Sequence, residues 1–246
     1  DTAEGPLVFV LAEGVIDDIE LTGNIKTQDY VILRELEIGP GDIINQQDIE
    51  RELRKIFNLN YFTNVVPEFI PSEENYHYIF KINITEKETS GAFTFGGGYQ
   101  PNSGFNVFSD LYWDNLQGTG QLIMVKGNFG LGAGGYDNNN NTYQIKFHNP
   151  WAFGRNRSFT FRLWSSSGSF SLFNVANSNY SFNDVSRRGF DMEFGVPHTY
   201  DFRTSHKFKY ESVQMNDYDT NYHLYTYRFQ ANLDRRDQRE NPTTGI

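Results

Sequence analysis

The spacing of apolar residues along the chain changes character once, near Ser90. Before that point helical and extended patterns alternate. Val15, Ile16, Ile19 and Leu21 predict a strand, closed by the turn cluster Thr22-Gly23-Asn24. Thr27 stands where it can cap a helix whose buried face is Tyr30, Val31, Leu33 and Leu36, and Gly39-Pro40-Gly41 stops it. Asn45 caps a second helix, with Gln46, Gln47 and Asp48 in the first turn and Ile49, Leu53, Ile56 and Phe57 at helical spacing. Two strands follow. One spans residues 62–70 and is interrupted by Pro67; the other spans 76–86, with Tyr76, Tyr78, Phe80, Ile82 and Ile84 on one face. The order β-α-α-β-β predicts an α+β unit over residues 14–88, two helices lying against one face of a three-stranded sheet.

From Gly91 onward the period is two. Phe93, Phe95 and Tyr99 alternate with Thr94, Gly96 and Gly98, and Phe105, Val107, Leu111 and Trp113 with smaller or polar neighbours. The same alternation recurs around Tyr143–Phe147, Phe159–Leu163, Phe190–Val196, Phe208–Tyr210 and Tyr225–Leu233. With the less regular stretch 121–129 it predicts about eight strands over residues 89–246. Alternation alone suits a soluble sandwich as well as a barrel. The segments reach the 9–11 residues a membrane strand needs, and Trp113, Tyr99, Trp151, Tyr200 and Tyr210 are expected near strand ends, as in interfacial girdles. Connections 100–104 and 113–121 are compact, whereas 130–141 and 165–188 read as long polar loops, the contrast expected between the two sides of an outer-membrane barrel.

Composition sharpens the boundary. Residues 1–90 hold 18 acidic and 7 basic residues, a net of −11; residues 91–246 hold 13 and 14, a net of +1. Of the 40 aromatic residues, 31 follow the cut. Two domains built for different surroundings account for both shifts. The overall charge of −10 argues against nucleic acid as a partner. The absence of cysteine removes disulfides, thiolate metal sites and cysteine nucleophiles. No apolar run approaches the roughly 20 residues of a membrane-spanning helix. Residues 1–13 do not read as a leader, because Asp1-Thr2-Ala3-Glu4 lacks its basic start. Residues 6–11 suggest instead the last strand of a preceding domain, so the chain is expected to be part of a longer one.

Several motifs fall in a familiar order. The stretch Gly14-Val15-Ile16-Asp17-Asp18-Ile19-Glu20-Leu21-Thr22-Gly23-Asn24, ahead of a capped helix, resembles a polypeptide-transport-associated (POTRA) domain. Gly96-Gly97-Gly98-Tyr99, Asp114-Asn115-Leu116-Gln117-Gly118-Thr119-Gly120, Asn149-Pro150-Trp151, Leu233-Asp234-Arg235-Arg236-Asp237 and Pro242-Thr243-Thr244-Gly245 resemble segments of the BamA-type outer-membrane assembly factors. The resemblance implies a POTRA domain followed by antiparallel strands of a transmembrane β-barrel, about eight of an expected sixteen. Residues 1–13 would then close a preceding POTRA domain. The implied location is the bacterial outer membrane, with the POTRA domain in the periplasm.

The implied function is non-enzymatic: folding and inserting β-barrel precursors with the help of accessory periplasmic assembly proteins, in contact with the lipid bilayer. A two-partner secretion translocator or a passive outer-membrane channel is the alternative. A closed barrel has no edges, so templating a new strand requires a weak seam. The first strand is the candidate, with Phe93, Phe95, Gly96, Gly97, Gly98 and Tyr99, since glycines leave few side chains to pack. Glycines that relieve crowding at a curved wall are the competing explanation. The edge carrying Phe62, Val65, Val66 and Phe69 is a second candidate, for strand addition by clients or partners, set against a plain spacer role. Neither cofactor nor metal is expected: His77, His148, His198, His206 and His223 lie in separate elements, and Asp137-Asn138-Asn139-Asn140-Asn141 lacks the ligand spacing of a calcium loop.

Overall fold

The structure is a computed structural model that describes residues 13–100, 104–131, 140–172, 180–199, 201–215 and 219–235. The expected strand at 6–11, Tyr200, Arg236, Asp237, the turn Pro242–Gly245 and most of the asparagine run lie outside the described residues. The chain divides into two compact units, one of residues 1–90 with 117–119, the other of 91–116 with 120–246.

The first unit runs β1 (Val15–Thr22), α1 (Asp29–Leu33), α2 (Gln46–Phe57), β2 (Phe62–Pro71) and β3 (His77–Glu86). Its sheet has the order β1-β3-β2, with β1 parallel and β2 antiparallel to the central β3. The core gathers Ile16, Ile32, Ile49, Ile56, Phe62, Phe80, Ile82 and Ile84. Ile16 and Ile19 both face it although three residues apart, because the register shifts between Ile16 and Asp18. A bulge of this kind inserts one residue and re-aims the next side chain. A second shift, between Phe62 and Asn64, does the same for Phe62 and Val65.

Both helices form, the first differently from its sequence pattern. The Asn45 side chain accepts from the Gln47 amide at 2.8 Å, so the second cap is as expected. Helix α1 is a five-residue turn preceded by Gln28, with Val31 and Ile32 buried and Tyr30 and Leu33 exposed. Thr27 is not its cap. Its amide donates to Glu86 Oε1 at 2.6 Å, beside the Lys26 amide on Oε2 at 2.8 Å. The side chain of Glu86, the last residue of β3, thus holds the two amides ahead of the helix. Phe57 and Tyr76 are also exposed; Tyr76 sits at φ 67° in the turn before β3, off the strand face predicted for it. The buried Glu52 accepts from the Glu37 amide at 2.8 Å and from Lys55 Nζ at 3.0 Å, tying α2 to the segment after α1.

The second unit is one antiparallel sheet of eight strands: β4 (Gly91–Gln100), β5 (Gly104–Trp113), β6 (Leu122–Leu131), β7 (Asn141–Asn149), β8 (Ser158–Leu172), β9 (Tyr180–Pro197), β10 (Phe202–Met215) and β11 (Thr220–Leu233). Each strand pairs with its neighbours in sequence, from β4 at one end of the order to β11 at the other. The stretch 165–188, expected as a polar loop, is mostly the paired ends of β8 and β9, leaving 173–179 between them. Backbone pairing does not need apolar side chains, so serine-rich residues continue the ladder beyond the hydrophobic stretch. Tyr210 consequently lies within β10 rather than near its end, while Trp113 ends β5 and Trp151 follows β7. Successive hairpins alternate sides, which puts the short connection 101–103 on the side of 132–139 and 173–179. Connection length therefore does not separate the two sides in the way its pattern suggests.

Candidate functional site

Register decides what each face of the large sheet presents. Because side chains alternate along every strand, directly paired residues share a face. One row reads Phe93, Leu111, Val125, Ile145, Leu163, Phe190, Tyr210 and Tyr225 across all eight strands. The row beside it reads Gly91, Trp113, Ile123, Phe147, Phe161, Met192, Phe208 and Tyr227. Eight independent alternations thus agree on a single apolar face. Its residues remain open: Phe93 and Phe95 are each 68% exposed and Tyr225 is 81% exposed.

The opposite face is ionic. Asp191, only 1% exposed, receives Arg162 from β8 at 2.8 Å and Lys207 from β10 at 2.9 Å. Glu211 joins Arg187 and Lys209, Glu193 joins Lys207 and Arg228, and Lys126 reaches Asp110 at 3.3 Å. The alternation in sequence marks Arg162, Lys207, Lys209, Glu193 and Arg228 as second-face residues. The convergence on Asp191 and Glu211 emerges only from register, since the partners come from three strands. Several histidines bond locally: His148 Nδ1 to Thr160 at 2.8 Å, His198 Nε2 to Thr204 at 2.8 Å and His206 Nδ1 to the Tyr227 hydroxyl at 2.7 Å.

The first-strand candidates lie together on β4, which pairs with β5 from Gly91–Trp113 to Gln100–Gly104 without interruption. Its second edge has no partner strand among the described residues. Phe93, Phe95, Gly97 and Tyr99 share the apolar face, and Tyr99 packs on Phe105 with ring centroids 4.8 Å apart. Gly96 is on the ionic face, where the ring of Phe108 occupies the space a side chain would take; a Cβ there would come within 2.5 Å of it. Gly98 has open space around its Cβ position. The three glycines are therefore not equivalent: Gly96 is a bed for an aromatic ring from the next strand, and Gly98 is an empty place.

The other candidate edge is β2, at the outside of the β1-β3-β2 order. Phe62 is buried, Val65 packs against the core, and Phe69 stacks on Phe80 at 5.2 Å. Of the four side chains only Val66 is exposed. What this edge offers to a partner is backbone. On the neighbouring β3, opposite Phe62, burial alone would raise the Glu86 carboxyl. The bonds from Thr27 and the Lys26 amide outweigh that and hold it below the usual carboxylate range. Glu37 is likewise held low, first by its bond to Lys55, whose Nζ lies 2.8 Å away.

Residues 14–87 match the family model "Surface antigen variable number repeat", a POTRA model, and residues 115–246 match the model "Omp85 superfamily domain". The chain belongs to the Omp85 superfamily. A putative outer membrane protein assembly factor of Treponema pallidum is 31% identical over 142 residues, 54% of this chain and 17% of that protein. The outer membrane protein assembly factor BamA of Nitratidesulfovibrio vulgaris is 28% identical over 135 residues, 55% of this chain and 16% of its own length. The matches thus take in about a sixth of these relatives. The structure of BamA from Haemophilus ducreyi lacking POTRA domains 1-3 superposes with a TM-score of 0.60 at 15% identity, covering 94% of this chain and 46% of that one. CdiB from Escherichia coli superposes with a TM-score of 0.52 at 14% identity, covering 89% and 40%. These two share the fold: a POTRA domain and strands of an outer-membrane barrel.

In an Omp85 protein the eight-stranded sheet is barrel wall in the outer membrane, and the POTRA domain is periplasmic. The exposed aromatic face is then the lipid-facing one, and the ionic face lines the barrel interior.

Proposed function

We propose that the protein is an outer-membrane insertase subunit that folds and inserts β-barrel precursors, with no chemical step. Strand β4 is the edge at which a client strand is added. The observation that carries this reading is the glycine run of β4: the strand is bare of side chains at Gly97 and Gly98, so it has little to pack against a neighbouring strand. A strand weakly held by its neighbour is one that a client strand can displace and pair with through the backbone. Relatives named as assembly factors, at 28–31% identity, support it. The domain division that goes with it is a POTRA domain at 14–88 and barrel strands at 89–246, with residues 1–13 closing a preceding POTRA domain. The β2 edge would receive clients or accessory periplasmic assembly proteins through its backbone. The test is reconstitution of the full-length protein in liposomes with an unfolded barrel client. Client folding that depends on the protein is expected. Ion conductance without any acceleration of folding would replace this reading by the translocation pore that the CdiB-like fold also allows.

A further inference from the structure

The lipid-facing side of the sheet is not apolar to its ends. On β8 the outward positions pass from Phe159, Phe161 and Leu163 to Ser165 and Ser167; on β9, from Phe194, Met192 and Phe190 to Arg188 and Ser186. On β10 they pass from Phe208 and Tyr210 to Ser212 and Gln214, and on β11 from Tyr227 and Tyr225 to His223 and Asn221. The change falls at one level, since Ser165, Arg188, Ser212 and His223 are direct cross-strand partners in turn. Tyr143 of β7 pairs with Ser165 in the same row.

Arg188 stands out in that row. Among the outward side chains described on β4–β11 it is the single Arg, Lys, Asp or Glu. It is exposed and has no ion pair among the described residues. Most basic residues of the opposite face behave otherwise: Arg162, Arg187, Lys207, Lys209, Arg228 and Lys126 meet a carboxylate, while Lys146 and Arg203 have no ion pair among the described residues. A cleft of about 490 Å³ opens at Arg188, lined also by Tyr143, Ser165, Tyr210, Ser212 and His223. The Tyr210 hydroxyl and His223 Nδ1 lie 3.0 Å apart on its wall. An unpaired guanidinium at the edge of an apolar band, with hydroxyls on both neighbouring strands, lacks one component, an anion. Guanidinium suits phosphate through paired N–H donors, and serine hydroxyls supply further donors.

We infer that this cleft is a binding site for the phosphate-bearing headgroup of a membrane lipid, held by Arg188 with Ser165 and Ser212 while its acyl chains lie on Leu163, Phe190 and Tyr225. The inference rests on the outer-membrane placement of the strands, and goes beyond the insertase reading by naming a lipid ligand. The site lies toward the connection 173–179. With the POTRA domain in the periplasm and β4 entering from it, that end belongs to the outer leaflet.

The experiment uses the full-length protein in nanodiscs of phosphatidylcholine alone or with phosphatidic acid, followed by mild delipidation and native mass spectrometry. Wild type is expected to retain phosphatidic acid over phosphatidylcholine. Arg188→Gln should weaken retention roughly tenfold, the loss of a charge-assisted bond, and Arg188→Lys only partly. Ser212→Val gives a second, smaller reading on the same cleft. Equal retention of the two lipids, or retention indifferent to Arg188→Gln, would overturn the proposal. Displacement of the lipid by millimolar inorganic phosphate would overturn it too, in favour of a site for the free ion. Heat-modifiable migration of each variant reports barrel folding separately. Failure of wild type to enter nanodiscs at all would contradict the membrane placement; entry without lipid preference would contradict the headgroup site alone.

Discussion

The two units bury opposite things. In the POTRA domain Phe62, Phe80, Ile82 and Ile56 are inside and most charges outside, the arrangement water imposes on a small domain. In the sheet β4–β11, Phe93, Phe95 and Tyr225 are open while Asp191 and Glu211 are nearly closed off, at 1% and 3% exposure. One rule produces both: apolar surface leaves water and buried charge must be paired. What differs is where the water is. The periplasm surrounds the first unit; lipid covers one face of the second, and its charged residues, Arg188 excepted among those described, turn inward.

The largest test of that contrast is truncation of an inside residue in the POTRA domain. Phe80→Ala should cost about 4 kcal/mol in denaturant unfolding of that domain, from lost transfer energy and a cavity under Phe69. Leu163→Ala, on the lipid face, should cost about 2 kcal/mol at most, the transfer term alone, since lipid fills the cavity. A large cost there would place Leu163 in a protein core. Next comes Asp191→Ala, expected to cost about 3 kcal/mol in urea unfolding of the liposome-embedded barrel, because it strands Arg162 and Lys207. Leu163→Arg should cost about 2–3 kcal/mol in the same assay, as for a cation on a lipid-facing strand. Water on that face would make the substitution nearly neutral.

Smallest is a pH effect confined to the POTRA domain. Glu86 has its folded-state pKa depressed, so its bonds to Thr27 and Lys26 stabilise fully above the ordinary glutamate value of about 4.3. That contribution disappears as pH falls through the lower folded value. Domain stability measured from pH 7 to pH 3 should fall in this window, and less steeply in Glu86→Gln.

Much of this contrast was legible in the residues before any coordinates. The eight alternations mark both faces of the sheet, and Asn45, with Ile49, Leu53 and Ile56 after it, marks α2. What escaped has specific causes. The bulges at Asp17 and Thr63 break the period of two where a core residue needs re-aiming, and a strict alternation cannot show them. Thr27 has every local sign of a cap, but its amide is tied to Glu86, distant in sequence, and Gln28 stands at the cap position. The paired ends of β8 and β9 are polar, and side-chain chemistry alone reads such residues as loop. Asp191 and Arg188 depend on register in the same way, since their meaning lies in what the neighbouring strands hold or fail to hold. On β4 the glycine count was visible; that Gly96 accommodates Phe108 while Gly98 faces open space was not.

The central claim, client addition at β4, is most directly tested by crosslinking. The chain has no cysteine, so single cysteines at Phe95, Tyr99 and, as a control on the same lipid face, Leu163 report one position each. With a stalled barrel client carrying its own cysteine in an edge strand, disulfide adducts are predicted at Phe95 and Tyr99 and none at Leu163. Adducts at Leu163 with none on β4 would contradict the account.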